Sequence, residues 1–448
     1  MARKHKPPEY VRHTGGDAWG VGVLVAKTSE QRTYLFEDGV RRAFKQAFCE
    51  RFIVPAPPPS EEVIARLMRG SQSGGIATPK AIHLELEAEI RAQPDELGPY
   101  LVYADWLMSR GDPRGELITL QHRCSQDPDD KRLHAAEAAF LDTHRNYLYP
   151  PALDELLRLP RTRGDAQTHC EATWRLGFLD RIRIARGKPT RVRTKELDVE
   201  GLVRELVGHP SAAFLRSIVF GQLGTAEQTN YIHAVSALVT HPLPALRELT
   251  LGDFRATLAL ERTRAGNLSP VLSAAPMLER LTVRAGSLRF SSAIHHDRLR
   301  QLGLIMAELS AGLISKVFGA TLPALEKLEV SCPHLAPSSA ELVPLLEATQ
   351  LPSLRHLIIR QTSGTGALLQ RILESPLVAQ LHSLTLDHGD LSDGDVVVVT
   401  NSRAAQRACL RHLGVDDNPL SSEAALELKR WCQRASHSAG ESPNDRGL

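Results

Sequence analysis

The pattern LxxLxL, or a near variant, recurs through the second half of the chain and constrains its fold more than any other feature. It reads LRSIVF from Leu215, LRELTL from Leu246, LERLTV from Leu278 and LRQLGL from Leu299. It continues as LEKLEV from Leu325, LRHLII from Leu354, LHSLTL from Leu381 and LRHLGV from Leu410, with an earlier copy, LDRIRI, from Leu179. The steps from Leu215 onward are 31, 32, 21, 26, 29, 27 and 29 residues. Most copies follow a proline-containing step such as HPLPA, AAPM, TLPA or QLPS. Helix-like segments such as Ala340–Ala348 and Ala367–Leu373 lie between copies. A unit of one strand and one helix cannot bury its leucine face alone. The units must stack, joining their strands into a parallel sheet and their leucines into a continuous core.

These steps lie close to the period of about 20–29 residues of leucine-rich repeats. The last two copies, LTLDHGDLSDGD and LGVDDNPLSSEAALELKRW, resemble the helix-bearing repeats of the ribonuclease-inhibitor kind. The expected fold is an α/β leucine-rich-repeat solenoid over residues 171–435, with a partner on its strand-side concave surface. Alternation along each strand says which side chains face out. The partner-binding candidates are Arg181, Arg183, Arg280, Arg284, Lys327, Glu329, His356, Arg360, Asp387 and Asp416. Ser217, Glu248 and Gln301 belong to the same rows. The face reads basic over its first two thirds and acidic over its last third.

The stretch YLVYADWLMSRGDPRGELITLQ, Tyr100 to Gln121, is the densest in functional-group chemistry. It reads as a helix–turn–helix junction. Gly111 ends the first helix, where the left-handed conformation costs glycine little. Asp112 is an N-cap for the second, and Pro113 suits its first position because the missing N–H would be unpaired there anyway. Trp106 and Leu107 are placed to pack one helix on the other, and Asp105 to pair with Arg114 or Arg110. A paired-carboxylate mechanism needs a cleft between its carboxyls, and a two-helix turn offers none. Asp105, Trp106, Gly111, Asp112, Pro113 and Arg114 are therefore read as structural, and no residue as catalytic. The segment closely resembles the repeat-companion domain, a short bacterial module that precedes leucine-rich or similar repeats. TWRLGFLDRIRIA, Thr173 to Ala185, looks like the way such proteins begin their repeats. The resemblance implies a companion and capping domain over residues 81–170 and no established catalytic activity.

Residues 1–54 read as short strands. GVGVLVA from Gly20 and the hairpin turn Glu37-Asp38-Gly39 resemble Tudor- and SH3-like barrels. PAPPPS from Pro55 and GSQSGGIAT from Gly70 mark a linker over 55–80, and 436–448 reads as a disordered tail. The sequence has 448 residues, with 42% apolar and 24% charged residues and a net charge of +2. That balance gives no global pull toward nucleic acid or membrane. The six cysteines are scattered, with no CxxC pair, which fits reduced thiols in a cytoplasm. No secretory h-region and no membrane-length apolar run occurs. His295-His296-Asp297 and Asp387-His388-Gly389-Asp390 lack the spacing of standard zinc or calcium sites. No nucleotide, hydrolase or metalloprotease motif is present. The sequence thus predicts a cytoplasmic, non-enzymatic scaffold without cofactor or metal, binding an unidentified protein. The alternative is a nucleic-acid or transcription-machinery adaptor using Arg41, Arg42, Lys45 and the basic run 175–195.

Overall fold

The computed structural model describes residues 10–14, 19–27, 31–37, 41–60, 63, 64, 67, 82–159, 170–185, 198–223, 230–254, 257–335, 339–347, 350–401 and 410–438. The glycine-rich part of the linker, the end of the tail from 439 and most of the basic run, 186–195, lie outside them. The chain divides into two compact units. One is Met1–Lys80 with Asp142–Pro151, and the other is Ala81–Leu141 with Ala152–Leu448.

In the first unit, β1 (Tyr10–His13), β2 (Gly22–Lys27), β3 (Gln31–Phe36), β4 (Arg41–Lys45) and β5 (Ile53–Pro55) form one antiparallel sheet, and α1 (Gln46–Phe52) links the last two. The order is β4-β3-β2-β1-β5, and no pairing joins β4 to β5 among the described residues. The expected SH3-like barrel is therefore corrected to an open sheet. Its glycines and turns serve any small meander, so they could not specify closure. Tyr34, Phe36 and Cys49 form one core cluster, with Trp19 edge-on to Phe36 at 5.5 Å.

The second unit begins with α2 (Leu84–Ala92), α3 (Leu97–Ser109), α4 (Pro113–Gln126) and all but the last two residues of α5 (Lys131–Thr143). The strands follow: β6 (Glu171–Arg175), β7 (Phe178–Ile184), β8 (Ser217–Phe220), β9 (Glu248–Leu251), β10 (Arg264–Asn267), β11 (Arg280–Ala285) and β12 (Ser287–Arg289). They end with β13 (Gln301–Met306), β14 (Lys327–Leu335), β15 (His356–Thr362), β16 (Ser383–Thr385) and β17 (His412–Gly414). The expected leucine-rich-repeat solenoid is corrected at this level. The strands build a ten-stranded mixed sheet in an α/β fold, in the order β17-β16-β15-β14-β13-β11-β9-β8-β7-β6. β6 is antiparallel to β7, and β10 and β12 leave the sheet to pair with each other. The leucine pattern specifies which residues are strand and core, but not what fills the space between strands. Leu246 to Leu278 is filled by a 3-10 helix, β10 and a six-residue helix, Ser269–Ala274. Leu278 to Leu299 carries β12 and no helix. Fillers this unequal give a layered sheet rather than a uniform repeat.

Leu246, Leu278, Leu299, Leu325, Leu354, Leu381 and Leu410, the first residue of seven copies, are each 0% exposed. Each contributes about 1.5–3 kcal/mol of burial. The helices Val199–Val207, Ile232–Leu238, Ala311–Phe318, Thr365–Glu374, Asp393–Asn401 and Ser422–Ser438 take their places behind the sheet. Val203, Leu206, Val317, Phe318, Leu369 and Ile372 are buried from these helices. The opposite face of the sheet alternates partly exposed with buried positions along β11 (iBiBiB), while Ser217, Gly303 and Ser331 on the same face are buried.

Candidate functional site

The face of the sheet opposite these helices is laid out by the register. Arg181, Ser217, Glu248, Arg280, Gln301, Lys327, His356, Ser383 and His412 form one row across nine neighbouring parallel strands. Arg183, Val219, Thr250, Thr282, Gly303, Glu329, Ile358, Thr385 and Gly414 form the next. Arg284, Ile305, Ser331 and Arg360 lie in a third.

The charges in these rows answer one another. Arg181 and Arg280 flank Glu248 at 3.1 and 3.3 Å, and the Ser217 hydroxyl donates to the same carboxylate at 3.0 Å. Arg183 meets Asp253 at 2.8 Å and also donates to its carbonyl at 3.0 Å. Further along, Arg360 binds Glu329 and lies 3.5 Å from Asp387, and Lys327 is 3.7 Å from Glu329. Asp387 accepts the Asp416 N–H at 3.0 Å. Arg284 lies over the Phe254 ring at 5.7 Å, and His356 is exposed. The sequence made the first part of this face basic because it counted strand positions only. The counter-charge Asp253 stands just past β9, outside the alternating pattern.

Sequence reasoning also missed Asp95, in the turn between α2 and α3. It receives Arg247 at 3.1 Å, Arg216 at 3.3 Å and Arg175 at 3.8 Å. Burial pushes its carboxyl up, but Arg247, Arg175 and Arg216 outweigh burial and hold it below the usual carboxylate range. Arg216 also pairs with Asp180 at 2.5 Å. No local signal identifies Asp95, since its partners are 80 to 152 positions away in sequence.

The Tyr100–Gln121 motif resolves as follows. Gly111 has φ 69°, and the Asp112 side chain accepts the Arg114 N–H at 3.0 Å. Pro113 opens α4. The Arg114 guanidinium is wholly buried, turns back onto Asp112 at 2.7 Å and lies over the Phe178 ring at 5.5 Å. Asp105 is exposed, and Arg110 lies over the Trp106 ring at 4.6 Å. The expected Asp105 ion pair is thus replaced by a cap pair and a ring contact. Asp105 sits on the outward side of α3, away from the buried stripe of Tyr100, Tyr103, Ala104 and Leu107. Those residues join Ile118, Phe178 and Phe214 in one cluster, with Tyr103 stacked on Phe178 at 5.9 Å.

The acidic loop after β16 works on backbone. Asp390 accepts the N–H groups of Thr365 at 2.7 Å and Gly364 at 2.8 Å, bonds that hold its carboxyl below the usual range. Asp393 accepts the Ser421 N–H at 2.9 Å. His296 is buried, with Nε2 at 3.0 Å from the Ala275 carbonyl. A cavity of about 430 Å³ opens between the helix Ile232–Leu238 and the β10/β12 pair, lined by Val235, Val239, Arg264, Leu288 and Arg289 among others. Among the described residues, its lining includes no carboxylate, histidine or cysteine.

No family model and no curated protein matches this chain. Among solved structures it is similar to a protein from Bacteroides fragilis determined by the Northeast Structural Genomics Consortium. The two are 20% identical with a TM-score of 0.44, over 55% of this chain and 72% of that one. Among the described residues, no helix is long and apolar enough to cross a membrane.

Proposed function

We propose that this protein is a non-catalytic interaction module whose strand face receives a protein partner. The observation that supports this reading is the face itself. Nine strands hold their outward side chains in register from Arg181 to His412, and Arg181, Gln301, His356 and His412 among them are exposed. Side chains fixed on strands form a rigid, low-entropy surface, which favours shape-specific protein recognition. Mixed-sign pairs such as Arg181–Glu248–Arg280 and Arg360–Glu329 suit a protein surface that presents both signs. The likeness of Tyr100–Gln121 to the bacterial repeat-companion domain, which implies no established catalytic activity, supports the same reading. Cysteines at 49, 124, 170, 332 and 432 are buried free thiols, which supports a reducing, cytoplasmic setting.

The adaptor reading for nucleic acid draws less support. A phosphate backbone needs uncommitted cations, and Arg175, Arg181 and Arg183 already meet carboxylates. Photo-crosslinking separates the two. A photoreactive residue at Gln301 or His356, both exposed on the face, is expected to capture a protein, while one at Glu423 on the helix layer captures none. Equal capture from both sides, or capture that nuclease abolishes, overturns the proposal.

A further inference from the structure

Cys124 lies near the end of α4, and His134 and Glu137 lie in the first turns of α5, across the connecting turn 127–130. One ligand atom from each side chain lies within 4.8 Å of the other two. The spacing, Cys-x9-His-x2-Glu, matches no standard zinc pattern, which is why the sequence alone did not show it.

Two further bonds prepare the group. His134 Nε2 lies 2.9 Å from the Pro128 carbonyl, which can only accept. Nε2 therefore donates to that carbonyl, which turns Nδ1 toward Glu137 Oε2 at 3.8 Å. Glu137 Oε1 accepts the Gln121 side-chain N–H at 2.7 Å, which leaves Oε2 toward the histidine. Gln121 is held in turn by the Gly177 N–H at 2.8 Å. A metal-binding imidazole usually donates its second N–H to a carbonyl or carboxylate, and a metal-binding carboxylate is usually hydrogen-bonded from outside. Both outer contacts are present here, on residues from three different segments.

We propose that Cys124, His134 and Glu137 bind a zinc ion, with the fourth position left to water. The donor set of one sulfur, one imidazole nitrogen and one carboxylate oxygen suits zinc, whereas calcium and magnesium take oxygen alone. Bonds of about 2.0–2.3 Å in a tetrahedron place ligand atoms roughly 3.5 Å apart. The triad must close by about 1 Å. Cys124 is buried and fixed, but His134 and Glu137 have side chains 49% and 22% exposed and can turn inward. The half-exposed histidine also places the open fourth position toward solvent. Zinc binding forms a Zn–S bond and releases the thiol proton to water.

The test uses the full chain, stripped with a chelator and titrated with cobalt(II), which reports thiolate ligation by a charge-transfer absorption. The expected result is a band that saturates at one equivalent and is bleached by added zinc(II). Cys124→Ser and His134→Ala each abolish the band. His134 is exposed, so H134A is expected to keep the wild-type circular dichroism even if C124S loosens the fold. No band in the wild-type chain, or a band that survives in either variant, overturns the assignment.

Discussion

Arg114 shows how much one residue's surroundings can decide. Its guanidinium has no exposure, and its carboxylate partner is the cap residue two positions earlier. Breaking such a pair from one side leaves a buried, uncompensated charge. Arg114→Met is therefore expected to cost about 3–5 kcal/mol in chemical denaturation. The double change Asp112→Ala with Arg114→Met is expected to cost less than the sum of the two single changes. Additive losses rule the coupling out. His209 lies nearby and is buried, its Nδ1 accepting the Ser211 N–H at 3.2 Å. Burial first, then the Arg114 charge, push its imidazole down to about 4, against a small opposing pull from Asp112. Unfolded, it titrates near 6.5. Below that pH the unfolded chain binds the extra proton, so stability falls from about pH 6.5 to about 4, by a total on the order of 3 kcal/mol. His209→Asn keeps an acceptor for Ser211 and is expected to flatten this limb of the stability profile. An unchanged limb assigns the titration elsewhere. The caps at Gly111, Asp112 and Pro113 were legible because capping depends on residue type and position alone. The partner of Arg114 was not, since helical spacing allows several carboxylates and the choice depends on how the side chain packs, here over the Phe178 ring.

At the scale of elements, the β6–β7 hairpin joins the helices to the sheet. Its loop is Leu176-Gly177, with φ 46° and 80°, between the paired residues Arg175 and Phe178. Positive φ at both positions marks a type I′ turn, which matches the twist of the flanking strands. Gly177 also lies against α4. A Cβ there would stand 2.5 Å from Ile118 Cγ1 and 2.7 Å from the Arg114 carbonyl oxygen. Gly177→Ala is expected to lower the thermal midpoint and to cost about 2 kcal/mol or more, from strained backbone and from the helix being pushed away. A midpoint within experimental error of wild type shows that the helices do not depend on this contact. The strands themselves were legible from LxxLxL, because period-two alternation says which residues face the core. The fillers between strands were not, and the fold class was misread for that reason. A 3-10 helix, a six-residue helix and an extra strand pair all fit between the same leucines.

For the whole molecule, the sequence marked the face and missed its charge balance. Glu248 and Glu329 each take two cations, so the rows that looked basic are largely neutralised within the protein. Strand neighbours in the large sheet are also neighbours in sequence from β7 to β17, apart from β10 and β12. Each added strand therefore closes a loop of only about one unit, and the entropy of closure stays nearly constant along the sheet. Growth in this order needs no distant pairing to form first. Removal of the last unit, from Leu410 onward, is expected to leave the β6–β15 region folded and to shift the denaturation midpoint by a limited step. A chain that collapses altogether on this deletion instead folds as one indivisible block. If growth is sequential, a ribosome-bound chain can begin to order its sheet before the C-terminal third has been made, and the order of synthesis becomes the order of assembly.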